Sequence, residues 1–155
     1  MNDETRPRNG VSRTRIRLGL SITVIGLIIY LIGAAPEMFR LNRSPVTGSL
    51  QISVFLIGLA MMCIGGYISL NALWNGSEKS IAADVGLRLV TTGYLIAVAS
   101  GGADLFGFGN HTLPRIPYFG AWQAFGVLVG EAVIAAGFLM IIPYSHKTPK
   151  EGNRS

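Results

Sequence analysis

Residues 18–35, 50–74, 83–106 and 118–142 form four long apolar runs, and nothing else in this chain restricts its fold as strongly. A helix rises ~1.5 Å per residue, so runs of this length match a hydrocarbon core ~30 Å thick. The first, LGLSITVIGLIIYLIGAA, carries no charge. The third is the least apolar, with Asp84 and Arg88 in its first turns and Asp104 near its end. A chain of 155 residues has too few polar helices to cover four that are apolar all round, which argues against a water-soluble core. The expected fold is all-α: a polytopic membrane protein built as an antiparallel bundle of four transmembrane helices over residues 17–143. A basic tail at 1–16 and a polar tail at 144–155 flank it, and both read as disordered because they are polar, contain proline and glycine, and lack helical periodicity.

The first run follows a group of arginines, as the core of a cleaved leader would. It reads instead as a retained helix: it is longer than a leader's core, Pro36 directly follows Ala34 and Ala35, and three more runs come after it. Lysine and arginine accumulate on cytoplasmic flanks and set orientation. Arg6, Arg8, Arg13, Arg15, Arg17, Lys79, Arg88, Lys147, Lys150 and Arg154 fall on one side of a four-span arrangement, against Arg40, Arg43 and Arg115 on the other. Both termini are therefore expected in the cytoplasm, with the bundle in a plasma (inner) membrane. The formal charge of +5 is then mostly topological. The arginines form no folded basic face and do not alternate with stacking aromatics, so nucleic acid is not an expected partner, whereas anionic lipid headgroups are.

Glycine spacing carries the packing signal. Gly19, Gly26 and Gly33 fall seven residues apart in the first run, Gly58 and Gly65 in the second, Gly86 and Gly93 in the third with Ser100 continuing the interval, and Gly130 and Gly137 in the fourth. A seven-residue interval returns small side chains to one helix face, where backbones can approach closely and gain dispersion contact that lipid does not offer. Gly126 and Gly130 add a small-xxx-small pair. Packing within the chain is the first reading of these faces, and homo-oligomer formation the second. No internal repeat is read from the shared spacing, since the first and third runs differ in charge, tyrosine placement and flanks.

Glu131 lies near the middle of the fourth run. A carboxyl group at that depth costs at least ~2.5–3.5 kcal/mol on insertion scales, so it calls for a role. The leading reading is a structural polar contact, with Thr91, Thr92 or Tyr94 as partners at similar depth. The sharper one is a proton, cation or cationic-substrate site; a contact with another subunit is the third. Gln123, eight residues earlier on roughly the same face, would extend a polar seam from Glu131. Asp84 and Arg88 are four apart and are expected to pair with each other, with an Arg88–Glu131 pair as the alternative.

The connection from Gly102 to Pro117 mixes Asp104, His111 and Arg115 with aromatic residues that continue through Tyr118, Phe119 and Trp122, a composition suited to a headgroup layer or a short re-entrant element. One histidine and one aspartate lack the further ligands that a metal site requires. Asn110–Thr112 matches a glycosylation sequon by pattern alone. Cys63, the single cysteine, reads as a small packing residue. No phosphate-binding glycine loop, HExxH, CxxC or GxSxG occurs, so neither an enzyme nor a cofactor is expected. The function read from the chain is a structural or accessory membrane subunit, with the bilayer and either further copies or another membrane protein as partners. A small proton- or cation-linked transporter or channel subunit built on Glu131 is the alternative.

Overall fold

All four apolar runs are helices in the computed structural model, which describes residues 9–39, 49–74, 78–103 and 120–143. They are α1 (Asn9–Ala34), α2 (Ser49–Leu73), α3 (Ile81–Gly101) and α4 (Ala121–Ile141), with a 3-10 turn, Pro36–Phe39, after α1. Each is long and apolar enough to cross a membrane, and among the described residues there is no strand. The fold is the expected all-α four-helix arrangement.

Local chemistry explains where the helices depart from the apolar runs. α1 starts at Asn9, inside the segment read as a disordered tail, and carries exposed Arg13, Arg15 and Arg17 in its extension. Those side chains can stay solvated while the helix backbone satisfies itself, so the helix has no reason to stop where the hydrocarbon would. It ends at Ala34 because Pro36 cannot donate to the ladder and disfavours helical geometry at Ala35. At the start of α3, the Ser80 hydroxyl accepts from the Ala83 N–H at 3.2 Å, an N-cap that supplies one orphan donor with a partner. α3 stops at Gly101, short of residue 106, since consecutive glycines lower helix propensity by ~1 kcal/mol each relative to alanine. α4 begins at Ala121 rather than 118, and its end precedes Pro143, with Ile142 extended at φ −61°, ψ 127°. Residues 104–119 and 144–155 lie outside the described residues, as do Asp104, His111, Arg115, the sequon and the second tail.

α1 packs along α2 and α3 along α4, giving two antiparallel hairpins, and α2 joins them by touching both α3 and α4. One end of the bundle, the termini end, carries the starts of α1 and α3. The far end carries Ala34, Ser49, Gly101 and Ala121.

Within each hairpin the heptad glycines meet one another. A methyl group on Gly26 would lie 2.9 Å from the Gly58 carbonyl oxygen, and one on Gly65 would lie 2.6 Å from that of Gly19. In the second hairpin, Gly86 opposes Gly137 and Gly93 opposes Gly130, each 2.6 Å by the same measure. The stripes are thus consumed by packing within the chain, the first of the two uses expected of them. Gly33 lies against the Phe55 backbone, and Gly126 fits against Ser100. On α3 the buried positions are Ala83, Gly86, Val90, Gly93, Ala97 and Gly101, and on α4 they are Val127, Gly130, Ile134, Gly137 and Ile141. These follow the three-four alternation of a helix seam.

Between the hairpins, Leu59 and Cys63 of α2 pack with Val90, Ala97, Ile134 and Ile141. Gly66 leaves room for the Phe138 ring, and the Trp74 indole N–H donates to the Ile141 carbonyl at 2.9 Å. The surface is built the opposite way to that of a soluble protein. Glycine and alanine fill much of the interior, while Leu18, Leu20, Ile28, Ile57, Leu95, Phe125 and Leu139 point outward. That distribution suits lipid, in which large aliphatic side chains lose nothing by exposure and helices adhere where small residues let them approach.

A candidate intramembrane site between the hairpins

Glu131 follows Gly130, and Gly130 faces α3. One residue turns a helix by ~100°, which takes Glu131 off that seam. It points instead to α1, where the Tyr30 hydroxyl donates to Glu131 Oε1 at 2.7 Å. By helical rise, Tyr30 is roughly 6 Å from the far end of α1 and Glu131 roughly 15 Å from the start of α4. The remaining difference of depth is closed by side-chain direction. Cα–Cβ bonds tilt toward a helix's own N-terminus, and α1 and α4 run in opposite directions, so the two side chains lean toward each other. The backbones of α1 and α4 make no close contact, and this hydrogen bond bridges them.

Tyr30 is held in turn by α2: its ring lies 4.9 Å from that of Phe55, centroid to centroid, tilted by 41°. Beside these groups is a crevice of about 310 Å³. Gly33 and Ala34 of α1, Gln51 and Phe55 of α2, and Ala124 of α4 line it, together with Tyr30 and Glu131. Three helices line the space, and its small residues come from α1 and α4. Gln51 is the other side chain in the lining with hydrogen-bonding capacity, so the wall is otherwise apolar.

The partners expected for Glu131 lie elsewhere. Thr91 is exposed and donates to the Leu87 carbonyl of its own helix at 3.1 Å, a bond that occupies a hydroxyl facing lipid. Thr92 is exposed as well, and Tyr94 packs against the interhairpin core. Arg88 is bound to Asp84 at 3.2 Å, with the two side chains 80% and 60% exposed, near the termini end. That pair is the local neutralisation expected first, and the Arg88–Glu131 alternative does not form. Gln123 is not part of a seam with Glu131: its carboxamide oxygen accepts from the Gly120 N–H at 2.8 Å, and its work is to cap α4. Cys63 is buried in the core, and Trp122, 86% exposed, points away from the bundle.

Tyr30 was the residue that sequence reasoning missed. A signal for it exists, since it is the one side chain between residues 24 and 34 able to form a hydrogen bond. Which helix it would face could not be read without knowing that α1 lies across the crevice from α4. Among the described residues no group of three or more histidine, cysteine, aspartate or glutamate side chains could hold a metal. The chain matches no protein-family model, no curated protein and no solved structure.

Proposed function

We propose that this protein is a structural or accessory subunit of a membrane assembly, without catalytic activity, residing in the plasma (inner) membrane with both termini in the cytoplasm. The observation that carries this reading is the Tyr30–Glu131 hydrogen bond. It gives the intramembrane carboxyl group a partner inside the chain and ties together two hairpins that are each knit separately by glycine contacts. A polar pair at this depth fixes which faces of the hairpins meet, which apolar packing alone specifies weakly. The lipid-facing surface of leucine, isoleucine and phenylalanine is then the side offered to the bilayer and to other subunits, whether further copies or a different membrane protein.

The test uses two substitutions at one position. A glutamine in place of Glu131 retains an acceptor for the Tyr30 hydroxyl, and a leucine does not. On the structural reading, Glu131→Leu loosens the bundle and reduces the mass of the purified assembly, whereas Glu131→Gln leaves both unchanged. The second reading, a small proton- or cation-linked transporter or channel subunit, is favoured by the crevice that Glu131 lines. It predicts that Glu131→Gln abolishes gradient-driven flux in proteoliposomes while the assembly stays intact, an outcome that would displace the structural reading.

A further inference from the structure

We propose that the crevice beside Glu131 is a binding site for a small hydrophobic organic cation, held with its charge at the carboxylate and its apolar body against the rings of Tyr30 and Phe55. Three observations meet there. The Tyr30 hydroxyl occupies Oε1 of Glu131 and orients the group, and the ion pair among the described residues is Asp84–Arg88, so no basic side chain described here neutralises Glu131. An ionised carboxylate in apolar surroundings is costly without a counter-charge, and one arriving with a ligand would remove that cost. The space for such a ligand is next to it: about 310 Å³, bordered by the small side chains of Ala34 and Ala124.

The lining decides what kind of cation fits. A dehydrated metal ion needs several oxygen ligands, and the crevice supplies Glu131, the Tyr30 hydroxyl and the Gln51 carboxamide within a wall that is otherwise apolar. A proton neutralises a carboxylate but needs no room. An acyl chain fills apolar room but gains nothing from the charge. An organic ammonium uses both, and the Tyr30 and Phe55 rings that line the crevice give its apolar body aromatic contact. The volume lies at the small end of ligand pockets, which favours a single-ring amine over a larger amphiphile. This inference stands apart from the structural reading, because a ligand at the free carboxylate oxygen leaves the Tyr30 contact in place.

The experiment is isothermal titration calorimetry on the full chain in nanodiscs of zwitterionic lipid, with benzyltrimethylammonium as the probe and dimethyl benzyl carbinol as a neutral analogue of similar shape. Saturable binding of one cation per chain is expected, with the neutral analogue at least ~10-fold weaker. Glu131→Gln, which keeps the Tyr30 bond, is expected to weaken cation binding by ~10-fold or more, a difference equivalent to ~1.4 kcal/mol. Ala124→Leu fills the crevice without touching that bond and should also abolish binding, so the site is tested even if the Glu131 variant fails to fold. The proposal is overturned if the folded wild-type chain shows no saturable heat. Equal affinity for the neutral analogue, or undiminished cation binding by folded Glu131→Gln or Ala124→Leu, overturns it as well.

Discussion

Replacing Gly93 by alanine places a methyl carbon 2.6 Å from the Gly130 carbonyl oxygen and 2.8 Å from the Ile134 backbone nitrogen. Both obstacles are backbone atoms of α4, so no rotamer change relieves them. To bring the nearer contact to the 3.4 Å at which ordinary van der Waals contact starts, α3 and α4 must part by 0.8 Å (3.4 − 2.6). A gap of 0.5–1 Å forfeits roughly a quarter to a half of the dispersion attraction of each atom pair it opens, and here it opens along the whole seam. Overpacking of this kind costs ~1–3 kcal/mol, and the rigidity of the obstacle places Gly93→Ala in the upper part of that range. Alanine's better helix propensity returns at most ~1 kcal/mol, leaving a net loss of ~1–2 kcal/mol. Gly101 is the control within the same helix, because a methyl group there would meet Val127, Ile52 and Leu56 side chains at 3.5–3.7 Å, an ordinary contact. Gly101→Ala should be neutral or stabilising. The assay is reversible unfolding in mixed micelles followed by circular dichroism, with both variants and the wild type in the same detergent series. If Gly93→Ala proves as stable as Gly101→Ala, the close approach of α3 and α4 at Gly93 and Gly130 is refuted.

Since Gly130→Ala would meet the Gly93 carbonyl at 2.6 Å, the double variant Gly93→Ala/Gly130→Ala should lose less stability than the two single losses combined, which a double-mutant cycle in that assay measures. Trp74→Phe removes the indole N–H that donates to the Ile141 carbonyl; a loss of ~0.5–1.5 kcal/mol in unfolding free energy is expected, and no loss would mean that the bond does not tie α2 to α4. Arg88→Ala breaks an ion pair whose partners are mostly exposed, and should change unfolding free energy by ~1 kcal/mol or less. Cys63 is 9% exposed in the interhairpin core, so a membrane-permeant maleimide should label it slowly in the folded protein and quickly after denaturation, a contrast read by mass spectrometry.

Hydrophobic run length by itself determined that this chain is a set of four helices apolar enough for a membrane, because a helix that satisfies its own backbone needs only enough uncharged residues to reach across hydrocarbon. Glycine spacing was legible for a related reason: a seven-residue interval keeps small residues on one face whatever that face meets. Asp84 and Arg88 were legible because a four-residue separation on one helix is a local fact. Helix ends were read less well. α1 runs on into its arginine-rich start, and α3 stops at its paired glycines, since caps and solvation decide ends and hydropathy does not record them.

Tertiary structure alone decided what Glu131 touches. Its depth was visible in the sequence, but the direction of its side chain depends on which face of α4 the glycines give to α3, and that pairing is non-local. Once Gly130 is committed to Gly93, Glu131 is turned toward α1, and the opposite run of α1 and α4 brings Tyr30 to it across a distance that no spacing in the chain encodes. The crevice has the same origin. Ala34 of α1 and Ala124 of α4 are small residues far apart in the chain, and they border one cavity because the packing of two hairpins sets them around the same space.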